Sequence, residues 1–103
     1  MKRYAYGFGF ETPRQRVLNL KHGWDDEDSA LIIIRAESAD VAYAWGREIA
    51  EVCVRRLFER AGDEQYSWKA LDFADSVEEA SSDLVAPEVE LGEMPHPDWL
   101  AGA

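Results

Sequence analysis

The stretch SADVAYAWGREIAEVCVRRLFER occupies residues 38–60 and reads as one long amphipathic helix. Ser38 is a natural N-cap, because its hydroxyl can accept from a first-turn amide, and Asp40 favours the positive end of the helix dipole. Gly62 stands just past the last periodic residue, where a left-handed residue would end the helix. Trp45, Gly46, Ile49, Cys53 and Leu57 fall on one side at about 100° per residue, with Val41, Ala42, Ala50 and Val52 beside them. Arg47, Glu51, Arg55 and Glu59 follow one another at i, i+4 with alternating sign, which predicts a solvated charge ladder. The apolar arc spans roughly 200°, wider than the stripe one sheet covers. A second surface is therefore expected on its flank.

Upstream of the helix, Tyr4, Tyr6, Phe8 and Phe10 alternate with Ala5, Gly7 and Gly9, the period-two pattern of a strand with an aromatic face. Its other face is nearly bare, so a ring, a backbone or a ligand could approach it closely. Gly7-Phe8-Gly9 is not a phosphate loop: the third glycine and the strand-to-helix context are missing. After a turn at Thr12-Pro13, Leu18, Leu20 and His22 alternate with Val17, Asn19 and Lys21, which predicts a second strand over 16–22. Asp25, Asp26, Glu27, Asp28 and Ser29 read as an acidic turn. Leu31-Ile32-Ile33-Ile34 follows as a central strand, apolar on both faces.

Beyond Gly62, Tyr66 and Trp68 predict a fourth strand to about Leu71, with Phe73 prolonging it or opening a helical turn over 76–84. From Pro87 onward three prolines, Pro87, Pro95 and Pro97, exclude a regular helix. Leu91, Met94, Trp99 and Leu100 are nevertheless too many apolar residues for a solvated tail, so this segment is expected to dock on the flank of the helix. The expected fold is α+β: one antiparallel sheet of about four strands in the order β-β-β-α-β, with the long helix on one face. Residues 1–86 form the domain and residues 87–103 an acidic tail covering it. The strand–helix–strand step resembles that of ferredoxin-like sheets, an arrangement that many functions share.

The 103 residues bound the chain to one domain that buries roughly two-thirds of its unfolded surface. No apolar run exceeds five residues, Ala30–Ile34 being one, far short of the roughly 20 that a membrane span needs. Cys53 stands alone on the apolar helix face and reads as a small core residue in a reducing, cytoplasmic setting. The net charge of −10 is unevenly spread. Residues 1–24 carry five bases against Glu11, whereas residues 72–103 carry nine acids and no Lys or Arg. So acidic a chain is repelled by phosphate backbones and anionic lipid, which argues against nucleic-acid or membrane partners and for a basic protein.

No catalytic motif stands out. His22 and His96 have neither metal-ligand nor nucleophile spacing, and no serine has a nucleophile-elbow setting. The acidic turn lacks the alternating ligands and central glycine of a calcium loop. Neither cofactor nor metal is expected, and the chain does not read as an enzyme. Aromatics on exposed ground are frequent anchors of protein interfaces. Trp24 and Trp99, with Asp25, Asp26, Glu27 and Asp28, are therefore the expected contacts to a partner, whereas Trp45 and Trp68 read as core. The leading expectation is a small acidic protein-binding module, an inhibitor or immunity-type protein acting on a basic partner. The alternative is a ferredoxin-like homodimer that binds a small ligand over the Gly7/Gly9 strand face.

Overall fold

The structure, a computed structural model, describes residues 1–96 and 98–100. Pro97 and residues 101–103 of the expected tail lie outside the described residues. Strand β1 (Lys2–Phe10) is followed by helix α1 (Pro13–His22), strand β2 (Asp28–Ala36) and helix α2 (Ala39–Arg60). A 3-10 turn (Lys69–Leu71) and the short strands β3 (Asp75–Glu79) and β4 (Glu88–Glu90) complete the order. The fold is α+β, with one four-stranded sheet in the order β3-β1-β2-β4 and α2 packed on one face.

The sheet is mixed rather than purely antiparallel. β1 runs antiparallel to both β2 and β3, whereas β4 runs parallel to β2, pairing Ile33–Arg35 with Glu88–Glu90. The parallel pair follows from the path of the chain. After β3 fills the free edge of β1, residues 80–87 cross to the opposite edge of the sheet before pairing. Val89 then buries beside Ile34 on the helix face, and Glu88 reaches Arg3 and Arg35 on the other.

Three local expectations are corrected. Residues 16–22 are helical, because Thr12 is a capping residue rather than a turn. Its Oγ1 accepts from the Gln15 backbone N–H at 3.1 Å, and the Gln15 side chain accepts from the Thr12 backbone N–H at 2.8 Å. Pro13 fits the first helical turn, and Gly23 closes the helix at φ 68°, its N–H donating to the Asn19 carbonyl. The Tyr66–Leu71 segment is not a strand. Its polar groups are engaged by α2: the Ser67 hydroxyl and the Lys69 backbone N–H both donate to Glu51, at 3.0 and 2.8 Å. Residues 75–79 form an edge strand rather than a helical turn, since β1 still offered an unpaired edge.

The core lies between the sheet and α2. Tyr4, Tyr6, Phe8 and Phe10 are all buried on the helix side, with Phe8 stacked beside Tyr6 and met edge-on by Trp68. The indole of Trp68 donates to the Gly9 carbonyl at 2.7 Å, tying the loop after α2 to β1. At Gly46 the backbone of α2 packs directly on the Tyr6 ring, which a Cβ there would overlap. Ile49, Ala50, Cys53, Val54 and Phe58 continue the buried stripe, and burial raises the Cys53 thiol pKa.

Both flanks of α2 are covered. On one, Glu51 is buried rather than solvated, so the expected charge ladder is interrupted at its second member. On the other lies the tail: Trp45 donates its indole N–H to the Glu93 carbonyl at 3.1 Å, and Asp98 pairs with Arg60. Met94, Trp99 and Leu100 pack against the core, while Leu91 stays 41% exposed.

Candidate functional site

Burial of the helix side leaves functional chemistry to three places: the polar junction of α2 with β3, the open sheet face, and the turn before β2. The junction is a closed network. Asp75 accepts from Tyr6 Oη at 2.6 Å, from Tyr43 Oη at 2.9 Å and from Arg47 Nη1 at 3.2 Å, and the Arg47 guanidinium lies over the Trp68 ring. Burial, reinforced by the Asp75 carboxylate, pushes the Tyr6 phenol pKa well above its ordinary value. The hydrogen bond to Tyr43 holds the Arg47 pKa high. Every charged group here has its partner within the fold, which is the mark of a structural clamp rather than a reactive centre.

The open face is different. Side chains at Gly7 and Gly9 are absent, and β1 and its neighbours form a shallow groove of 520 Å³. Glu27, Ser29 and Ser76 are its polar edges and Leu31, 39% exposed, is its apolar side. A Cβ at Gly9 would lie 3.0 Å from the Glu27 carboxylate, so that side chain rests close over the bare backbone.

Glu27 also belongs to a second concavity of 230 Å³, together with Trp24, Asp25, Asp26, Glu11 and the apolar Leu71 and Phe73. The turn is held from α1. Asn19 Nδ2 donates to the Asp26 carbonyl at 2.9 Å and to Glu11 at 3.0 Å, while Asn19 Oδ1 accepts from the Asp26 N–H at 3.1 Å. Trp24 stacks on His22 with ring centroids 4.4 Å apart and remains 50% exposed. Two sequence-predicted contacts sit elsewhere. Asp28 is the first residue of β2, paired with Phe10, and accepts from Gln15. Trp99 is half-buried edge-on against Phe8, on the helix side of the sheet and outside this concavity.

The charge balance leaves the acids of this turn without a partner inside the chain. Eight of the eleven Lys and Arg residues are ion-paired within the chain: Lys2, Arg3, Arg16, Arg35, Arg47, Arg55, Arg60 and Lys69. Asp25, Asp26 and Glu27 form no ion pair among the described residues. An indole face beside carboxylates suits a cationic side chain, through cation–π contact and ion pairing together. Sequence reasoning missed Glu11, just past β1, whose buried carboxylate pairs with Arg16 and accepts from Asn19 and so supports the turn from beneath.

Among the described residues no group of three or more His, Cys, Asp or Glu is placed to hold a metal ion, and no helix is long and apolar enough to cross a membrane. Comparison of the chain with protein-family models, curated proteins and solved structures gives no match.

Proposed function

We propose that the chain is a small acidic protein-binding module that takes a basic segment of a partner protein, in the manner of an inhibitor or immunity-type protein. The observation that carries this reading is Trp24, half-exposed on a turn pinned by Asn19 and sharing a concavity with the unpaired carboxylates of Asp25, Asp26 and Glu27. A pinned turn gives up little conformational freedom on binding, and a Lys or Arg of the partner would lie on the indole with carboxylates around it. The single, buried Cys53 accords with a reducing cytoplasmic setting.

The test is binding kinetics against salt for a basic protein recovered with the full chain. Charge acts mainly on encounter and is screened over about 8–10 Å at ordinary ionic strength. Replacing Asp25, Asp26 and Glu27 together by Lys is expected to slow association about tenfold or more. Trp24→Ala is expected to speed dissociation while leaving association nearly unchanged. A partner that is itself acidic, or an association rate indifferent to salt, overturns the reading.

The groove over Gly7 and Gly9 supports a second reading, a homodimer holding a small ligand on that face. Its signature is different. A ligand on that face is lost in Gly7→Val, which fills the groove, whereas an Asp25→Lys, Asp26→Lys variant, at residues outside the groove, retains it.

A further inference from the structure

The geometry points to α1 as a second docking face, one that receives an acidic amphipathic segment of a partner protein. The helix has strong local reasons to form, with a capping box, Pro at its start and a left-handed Gly23 at its end, yet no residue in it is buried. Its amphipathicity is turned inside out. Gln15 and Asn19 face the protein and are hydrogen-bonded to Asp28, Glu11 and Asp26, while Val17 and Leu20 stand 65% and 73% exposed. A furrow of 200 Å³ runs from these two side chains to Phe58, Ala61 and Asp63 at and past the end of α2, with Arg16, paired to Glu11, at its side, so the unpaired cations lie on the opposite flank of Val17.

Charge identifies the occupant. The helix carries Arg14, Arg16 and Lys21 and no acid, in a chain of net charge −10. Of the three bases without an ion pair among the described residues, Arg14, Lys21 and Arg56, two lie on this outward face. Positions 14, 17 and 21 follow one another at i, i+3 and i+7, so Val17 sits between the two free cations. Arg14 and Lys21 share one flank of the Val17–Leu20 stripe, so a segment with apolar side chains one turn apart and carboxylates along that flank matches this layout.

Other occupants fit less well. Antiparallel pairing of α1 with a second copy, centred between Val17 and Leu20, would set Lys21 of one copy opposite Arg16 of the other and within a turn of its Arg14. An anionic membrane fits poorly because a 10-residue helix with two exposed apolar side chains has little apolar surface to insert.

The probe is a synthetic amphipathic helical peptide with Leu at i and i+4 and Glu along one flank, beside a twin in which every Glu is Lys. Each is titrated into the isotope-labelled full chain and followed by amide chemical shifts. The acidic peptide is expected to shift residues 14–21 and Ala61, and to do so less as salt rises. Val17→Ser with Leu20→Ser should abolish those shifts without moving the melting temperature, because both side chains stand in solvent. Arg14→Glu with Lys21→Glu should weaken binding about tenfold. Equal shifts from the Lys twin, or an acidic peptide that leaves these amides unmoved at millimolar concentration, overturn the assignment. So does a chain that sediments as a dimer and is made monomeric by the Val17/Leu20 variant, which would give the face to a second copy.

Discussion

Two buried tyrosines are predicted to respond with opposite sign to loss of a single hydroxyl. Tyr6 donates to Asp75, whose side chain is only 7% exposed, so Tyr6→Phe leaves a buried carboxylate short of a donor. A loss of about 1.5–3 kcal/mol is expected, the range for a hydrogen bond to a charged group. Tyr66 stacks its ring on Phe58 but its buried hydroxyl has no hydrogen-bond partner among the described residues. Tyr66→Phe removes an unpaired polar atom and should raise stability by about 1 kcal/mol. Urea midpoints of the two variants check the pair, and a shared sign would disprove it. Gly46 gives a third case. In an open helix Gly→Ala gains about 1 kcal/mol, but here the methyl group would overlap the Tyr6 ring, and overpacking of about 1–3 kcal/mol reverses the sign. A Gly46→Ala variant more stable than the parent would mean that α2 and β1 are not so closely packed.

At the scale of elements, α2 is held to the loop after it by one carboxylate. Glu51 accepts from Ser67 Oγ and the Lys69 N–H and pairs with Arg55. Burial opposes its ionisation, but these donors outweigh burial and hold its pKa below the ordinary carboxylate value. A group whose folded pKa is depressed stabilises the fold above its unfolded value of about 4.3, and that contribution is lost as pH falls through the folded value. Glu51→Ala should therefore cost about 1–3 kcal/mol near neutral pH, and the difference from the parent should shrink on acidification below about pH 4. Glu59→Ala, on the exposed end of the same ladder, should change stability by less than about 0.5 kcal/mol. Denaturant melts of both variants at neutral and acid pH decide this. Equal losses would place Glu51 in solvent.

For the whole molecule, the two raised phenols make alkaline pH the vulnerable side. Burial is the leading cause at both Tyr6 and Tyr66, joined by Asp75 at the first and Glu11 at the second. The unfolded phenol titrates at about pH 10, so above that the unfolded state sheds protons that the folded state retains. Stability from these groups is present below about pH 10 and falls as pH rises further. A Tyr6→Phe, Tyr66→Phe double variant should show a shallower loss between pH 9 and 11 in urea melts than the parent, a window set by that unfolded value of about 10. An identical slope would mean that neither phenol is shielded. The same whole-molecule view explains the surface: the bases are spent inside the fold, Arg3 for example on Glu88 and on the carbonyls of Ser81 and Leu84. The acids of the turn before β2 and the outward cations of α1 are left to face solvent.

Whatever depends on near neighbours along the chain was legible in the order of residues. The period of 3.6 over residues 38–60, Ser38 at its start and Gly62 past its end define α2, and the alternation of Tyr4 to Phe10 defines β1. The acidic turn with its tryptophan was legible for the same reason. Tertiary structure alone decided what depends on which edge or face remains free. Val17-Leu18-Asn19-Leu20 alternates like a strand; the Thr12–Gln15 capping box that makes it a helix is itself a local signal, but its outward Val17 and Leu20 follow from Gln15 and Asn19 being claimed by Asp28, Glu11 and Asp26. Residues 75–79 carry little strand signal but meet an open edge of β1, whose unpaired amides and carbonyls are satisfied by pairing. Glu51 reads as a ladder charge until residues 67–69 fold over it. Glu11 reaches the turn of Trp24 from 13 residues away because Asn19 draws both to one place. Contacts of this kind join residues far apart in the chain, and local pattern carries no record of them.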